Sequence, residues 1–250
     1  MHKIFTLLFS ICLLNVSFGQ AYDPLNKPNT YRNADNPYYW KNRPPYPGYW
    51  QQDVAYTIKA NIDETTDIIT GDEQLTYFNN SPDTLYFVYF NLYQNAFQPG
   101  SYLDKLQQSN DMHPNYGKYE ASKQGTVVES IQTKGTELET HLDNTILKVV
   151  LAKPLAPNDS TSFSIRFRTF YDNGSTRRRM KKYGAYGYKH YNGCQWYPKM
   201  CEYDYQGWHP NPYIAREFHG IWGDFDVKIS IDAKYIIAGT GYLQNPQEIG

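Results

Sequence analysis

Residues 53–78 read DVAYTIKANIDETTDIITGDEQLTYF, and this stretch decides the fold class. From Val54 to Ile62 an apolar residue occupies every second position, which is the period of a strand with one buried and one solvated face. The polar run at 63–67 favours a turn, and 69–78 predicts a strand that returns beside the first. The stretch therefore predicts an antiparallel β-hairpin.

Similar segments follow along the chain. The segment LYFVYFNL at 85–92 is apolar on both faces and predicts a central strand, whereas 94–125 lacks a period and predicts a long loop with one helical turn near 103–107. Further strands are predicted at 126–133, 145–152, 161–168, 225–232 and 235–240. Because no stretch of the sequence carries a helical apolar period, the predicted fold is all-β, an antiparallel sandwich or curved sheet.

The composition argues against two classes of function. The chain has 24 Lys plus Arg and 25 Asp plus Glu, a formal net charge of −1, which gives no electrostatic reason to bind nucleic acid or an anionic membrane. The basic run RRRMKK at 177–182 is interpreted as a solvated loop. The 25 Tyr, 12 Phe and 5 Trp are unusually many, and such rings favour strands and partly wet surfaces.

The first 19 residues have the pattern of a secretory signal peptide. A basic start at 1–3 precedes the apolar run 4–14, and Ser17 and Gly19 provide the small residues of a cleavage site before Gln20. The apolar run is too short for a stable membrane span. The sequence therefore predicts export to the periplasm or the medium, with no membrane span left after cleavage.

Residues 20–50 predict an extended arm that packs against the following β domain at 51–250. Proline fixes φ and removes hydrogen-bond donors, and aromatic residues are interspersed with the prolines, which is unusual for a free linker. The prolines of the arm are Pro24, Pro28, Pro37, Pro44, Pro45 and Pro47.

Two cysteines remain beyond the predicted cleavage site, Cys194 and Cys201. In one extended segment they would lie about 23 Å apart, far beyond bridging distance. A disulfide would require the chain to fold back between them, so we expect two unbridged thiols.

Polar side chains are densest between residues 183 and 226. His209, Glu217 and His219 could form a metal-binding set, since imidazole and carboxylate are common ligands. The spacing fixes only Glu217 and His219 on one side of a strand, so surface or hydrogen-bonded histidines are favoured and no metal site is predicted. The signatures H-E-x-x-H, G-x-S-x-G and the P-loop are absent from the sequence, and no catalytic residue is predicted.

Several separated blocks carry a family resemblance. They are QWYPKM at 195–200, EYD at 202–204, GWH at 207–209, PY at 212–213, REF at 216–218 and GDFDV at 223–227, with NLYQNAF at 91–97 and GTGYLQNP at 239–246. Together these blocks resemble the N-terminal domain of the bacterial gluzincin aminopeptidases, the zinc metallopeptidases of the aminopeptidase N and leukotriene-hydrolase type.

The resemblance implies a saddle-shaped β domain that precedes a thermolysin-like catalytic domain. That catalytic domain would follow residue 250 and carry the zinc, so this segment is expected to hold no cofactor and to be inactive alone. Its implied contribution is a polar side chain that binds the free α-amine of a peptide substrate. Gln195 is the first candidate for this contact and Glu202 the second.

Two other classes of function stay open at the sequence level. A secreted carbohydrate-binding β-sandwich would use exposed Tyr and Trp rings as sugar-stacking faces. A structural or interaction module would need no ligand.

Overall fold

The computed structural model describes residues 34–37, 39–176, 180–185, 187–216 and 219–247. The chain divides into two compact units, Met1–Tyr49 and Trp50–Gly250. In the first unit a 3-10 helix, η1, spans Trp40–Asn42. The predicted signal peptide and the first part of the predicted arm lie outside the described residues.

The second unit is built mainly from strands. In chain order they are β1 (Asp53–Asp63), β2 (Ile68–Asn79), β3 (Leu85–Asn91), β4 (Thr126–Thr133), β5 (Thr136–Glu137), β6 (Thr140–Asp143), β7 (Ile146–Leu155), β8 (Asp159–Phe170), β9 (Lys181–Ala185), β10 (Tyr188–Asn192), β11 (Lys199–Met200), β12 (Tyr203–Asp204), β13 (Gly207–Trp208) and β14 (Gly223–Ser230). Between β3 and β4 lie a 3-10 helix, η2 (Tyr93–Ala96), and the short helices α1 (Tyr102–Gln108) and α2 (Lys118–Ala121).

The strands form two main sheets and two small hairpins. The larger sheet has the order β14-β1-β2-β8-β4-β5, and the smaller has the order β11-β3-β7-β6. The hairpins are β9-β10 and β12-β13. All of these pairings are antiparallel except that of β1 with β14, so the all-β, mainly antiparallel prediction is confirmed.

Alternation along β1, β2 and β8 sends one face of the larger sheet into a core shared with β3 and β7. Tyr56, Leu75 and Phe163 on this face are at most 2% exposed. The rings of Phe90 and Phe163 meet edge to face with centroids 5.7 Å apart, which joins the two sheets. Each such side chain contributes about 1.5–3 kcal/mol through burial, so the core is the main source of stability.

The segment 94–125 is more ordered than a loop. The helical turn predicted near 103–107 is confirmed as part of α1, where Ser101 caps the helix by accepting a hydrogen bond from the Asp104 amide. Leu103 is buried, so the segment has a small core of its own. Short helices of this size contain too few turns for their apolar period to be recognised in the sequence.

The strand predicted at 235–240 is wrong. The chain turns at Asp232, whose carbonyl accepts from the Tyr235 amide, and no strand follows among the residues described after it. Ile236 is 90% exposed, so its apolar character does not reflect a buried face. The strand before this turn, β14, pairs instead in parallel with β1.

None of the helices in the described part of the chain is both long enough and apolar enough to cross a bilayer.

Candidate functional site

Gln195 lies in the loop between β10 and β11 and is fixed there by a second glutamine. Nε2 of Gln94, in η2, donates to the carbonyl oxygens of both Cys194 and Gln195, each at 3.0 Å. Gln195 has a φ of 56°, in the left-handed region. The loop that carries the predicted amine contact is therefore held against η2 by two hydrogen bonds.

These two bonds also fix the orientation of the Gln94 amide. Only Nε2 can donate to two carbonyls, so the other atom must be the acceptor oxygen Oε1. Gln94 Oε1 and Gln195 Nε2 are both buried, and neither has a hydrogen-bond partner within the described residues. An unpaired buried polar atom costs about 1–3 kcal/mol, which makes both atoms candidates for contact with a ligand.

Both glutamines line one cavity of about 710 Å³. Phe97, Leu103 and Tyr213 form part of its apolar wall, and Arg216 contributes a cation to its lining. About half of the lining residues are apolar and the others are polar or charged, so the cavity offers both apolar surface and hydrogen-bonding groups to a small molecule or a peptide end.

The apolar wall is positioned by aromatic packing. The ring of Tyr213 meets Tyr93 at 5.1 Å and Phe97 at 6.2 Å between centroids, both edge to face. The backbone amide of Tyr213 donates to Thr145 Oγ1 at 2.9 Å in a buried position, which ties the wall to β7 through the residue before it. These ring contacts and this hydrogen bond hold the apolar wall in position.

Glu202, the second predicted contact, lies elsewhere. Among the described residues it does not line the Gln195 cavity, so the structure does not bring the two candidates together. It precedes the β12-β13 hairpin, and its carbonyl accepts from the His209 amide at 2.9 Å. Burial raises the pKa of the Glu202 carboxyl, and the charges of His219, His209 and Lys199 oppose this rise.

His209 and His219, which the sequence analysis considered as metal ligands together with Glu217, lie next to each other. The carboxylate beside them is that of Asp204. The rings of His209 and His219 have centroids 5.2 Å apart, and Asp204 lies against both. Glu217 lies outside the described residues. Sequence reasoning missed Asp204, although Glu202-x-Asp204 before a tight turn is a signal that both carboxyls share one face of a hairpin.

The two cysteines differ in burial. Cys194 is half-buried and Cys201 is buried, and within the described residues no disulfide joins them. Burial raises the pKa of the Cys201 thiol well above its ordinary value.

Comparison with known proteins gives matches only among solved structures. No family model matches this chain, and no curated protein matches it. A crystal structure of the M1 zinc metallopeptidase from Deinococcus radiodurans matches 50% of this chain and 22% of its own, with 15% identity and a TM-score of 0.32.

Two mutant structures of the enzyme give longer matches. One covers 74% of this chain and 34% of its own, at 14% identity and a TM-score of 0.40. A mutant bound to a Tyr-Ser-Ala substrate covers 73% of this chain and 33% of its own, at 13% identity and a TM-score of 0.40. Each of these similar structures is an M1 zinc metallopeptidase, and this chain spans between 22% and 34% of their length.

Proposed function

We propose that this chain is the N-terminal, substrate-cleft domain of an exported zinc metallopeptidase of the aminopeptidase type. The observation that carries the proposal is the pair of buried, unpaired amide atoms at Gln94 and Gln195 in one cavity. The resemblance of the QWYPKM and GDFDV blocks to gluzincin N-terminal domains supports the same assignment. Export rests on the signal-peptide pattern of residues 1–19.

The amide pair suits the free end of a peptide. An α-ammonium group donates hydrogen bonds, and Gln94 Oε1 is an acceptor without a partner among the described residues. A hydrogen bond to a charged group contributes about 1.5–3 kcal/mol, and it would also satisfy the buried oxygen. The Gln195 carboxamide would accept from the ammonium through its oxygen and donate to a peptide carbonyl through Nε2.

The remaining lining residues suit the rest of the substrate. The apolar wall around Phe97, Leu103 and Tyr213 would receive the first side chain of the peptide. Arg216 would donate to a carbonyl oxygen further along. Glu202 remains a second candidate for the amine, at a separate position on the domain.

Hydrolysis is not assigned to these residues. None of the six histidines in the sequence is followed by a glutamate. The H-E-x-x-H motif that supplies zinc ligands in the resembling family is therefore absent from these 250 residues. We assign the zinc and the catalytic residues to a domain after residue 250. The substrate partner of this segment would be a peptide held against that domain.

The test compares substrates with and without a free amine, using the full-length protein. Gln195→Ala should lower kcat/KM for aminoacyl amides roughly 10- to 150-fold and leave N-acetylated peptides nearly unchanged, because only the former carry the ammonium. Gln74→Ala is the matched control, since Gln74 is exposed on β2. Reading the coding sequence beyond Gly250 for an H-E-x-x-H motif tests the domain assignment.

Three outcomes would contradict the proposal. Equal losses on free and acetylated substrates would mean that Gln195 does not bind the amine. A large fall in Tm for Gln195→Ala would make its role structural. Saturable binding of an oligosaccharide, without peptidase activity in the full-length protein, would favour the carbohydrate-binding alternative.

A further inference from the structure

The β12-β13 hairpin separates apolar from ionisable side chains. Tyr203 pairs with Trp208 across the hairpin, and both rings pack on the main core. Asp204 pairs with Gly207, which has a φ of 97° and closes the tight turn. Because neighbouring residues alternate in direction, Glu202, Asp204 and His209 share the face opposite the core-packed rings.

His219 completes a cluster on that face. Nε2 of His209 lies 2.9 Å from Asp204 Oδ1, and Nε2 of His219 lies 3.8 Å from Asp204 Oδ2. One ligand atom from each of the three side chains lies within 4.8 Å of the others. In a tetrahedral zinc site with bonds of about 2.0–2.1 Å, neighbouring ligand atoms lie about 3.3 Å apart. The His219 side chain is 59% exposed, so its ring has solvent beside it in which to adjust.

Two further features suit a ligand. The amide of Gln206 donates to Asp204 Oδ1 at 2.8 Å, which holds the carboxylate in position, as outer-shell hydrogen bonds do for metal-binding carboxylates. Nε2 of His209 is buried and faces the Asp204 carboxylate, 2.9 Å from Oδ1.

From this geometry we propose that Asp204, His209 and His219 bind one divalent transition-metal cation of the zinc class. Two imidazoles and one carboxylate suit Zn²⁺, Co²⁺, Ni²⁺ or Cu²⁺, whereas Mg²⁺ and Ca²⁺ prefer sites made only of oxygen. The cation would join the β12-β13 hairpin to the segment that leads into β14. Its role would be to stabilise this part of the domain, and the proposal does not depend on the proposed function.

The test is a metal titration of the 250-residue chain with ZnCl₂, read by calorimetry, and with CoCl₂, read by the visible absorption of bound cobalt. We expect one saturable site per chain and a Tm that rises with zinc concentration. His219→Ala and Asp204→Asn should each weaken binding by at least roughly 100-fold, since loss of an outer-shell partner alone costs 10- to 100-fold.

The chain offers a matched control. His141 also lies beside a carboxylate, with Nε2 2.9 Å from Glu139 Oε1. This pair is not part of the proposed site of Asp204, His209 and His219. His141→Ala should therefore bind zinc like the wild type. Absence of saturable binding, or equal weakening in His141→Ala and His219→Ala, would overturn the proposal. His219 is mostly exposed, so the result does not depend on whether the more buried His209→Ala variant folds.

Discussion

Gln94 donates through Nε2 to the backbone carbonyl of Gln195, a residue 101 positions later in the chain. The bond joins η2 to the loop before β11 and leaves Oε1 as the unpaired atom of the Gln94 amide in the cavity. The candidate site is therefore assembled by a contact between distant segments.

The first prediction concerns the stability that this contact provides. Gln94→Met fills a similar volume but removes both hydrogen bonds to the 194–195 carbonyls, so the free energy of unfolding should fall by about 1–3 kcal/mol. Urea denaturation measures this change. Gln74→Met, on the exposed side of β2, should stay within about 0.5 kcal/mol of the wild type. Similar values for the two variants would show that the bonds to the loop do not contribute to stability.

The second prediction concerns Glu73, which is fully buried in β2 with neither carboxyl oxygen hydrogen-bonded in the described structure. Burial raises the pKa of this carboxyl well above its ordinary value. Glu73→Met should stabilise the protein by about 1–4 kcal/mol at pH 7, because an apolar side chain of similar size replaces an unsatisfied acid.

The pH dependence of this gain has a definite sign. The folded state keeps the Glu73 proton while the unfolded state releases it, so wild-type stability falls as pH rises from about 4.5 towards the folded pKa, by up to about 1.4 kcal/mol per pH unit. The advantage of Glu73→Met should therefore grow over that range in urea titrations at several pH values. Glu139→Gln, at a carboxyl 67% exposed, is the matched variant at an exposed site. A gain that does not vary with pH would refute the raised pKa.

The third prediction concerns Asp67, which connects the β1-β2 turn to the β9-β10 hairpin. Its carboxylate accepts hydrogen bonds from Lys182 at 2.6 Å, Lys189 at 2.8 Å and Tyr191 at 2.6 Å. Burial acts to raise the pKa of Asp67, but these three donors outweigh it and lower the pKa. Asp67→Asn preserves the left-handed backbone and removes the charge, and should cost about 1–3 kcal/mol at pH 7.

A lowered pKa places the loss of this stabilisation at acid pH. The contribution of Asp67 is present above the unfolded pKa of about 3.9 and disappears as pH falls through the lower folded value. Wild type and Asp67→Asn should therefore converge in stability below about pH 4. Asp72→Asn, whose carboxylate is 68% exposed beside Arg166, should differ little from wild type at any pH. A difference that persists in acid would exclude a role for the Asp67 charge.

The fourth prediction concerns Gly71 in β2. A Cβ at this position would overlap the Phe167 ring in the core, so Gly71→Ala should destabilise the protein by about 1–3 kcal/mol through overpacking. Thermal unfolding measures the change. Gly184→Ala, in β9, meets nothing within 4 Å and should be nearly neutral. In the Phe167→Leu background, which removes part of the ring, Gly71→Ala should cost less stability than it does in the wild type. A Gly71→Ala variant as stable as the wild type would contradict the close packing of Phe167 on Gly71.

The sequence predicts the strands of the larger sheet because their burial pattern is local. Residues of β1 alternate between buried and exposed, and the period of two is visible in the amino-acid order before any partner is known. The same local pattern places Glu202 and Asp204 on one face of their segment.

Tertiary structure alone decides which segments meet. A period of two shows that a strand has a buried face but does not identify its neighbour, so the parallel pairing of β14 with β1 could not be derived from 223–230. The same limit applies to the sites. The sequence supplies Gln195, Asp204 and His219, but the contacts of Gln195 with Gln94 and of Asp204 with His219 arise only when loops pack on a completed core, because side-chain contacts between distant segments carry no local periodic signal.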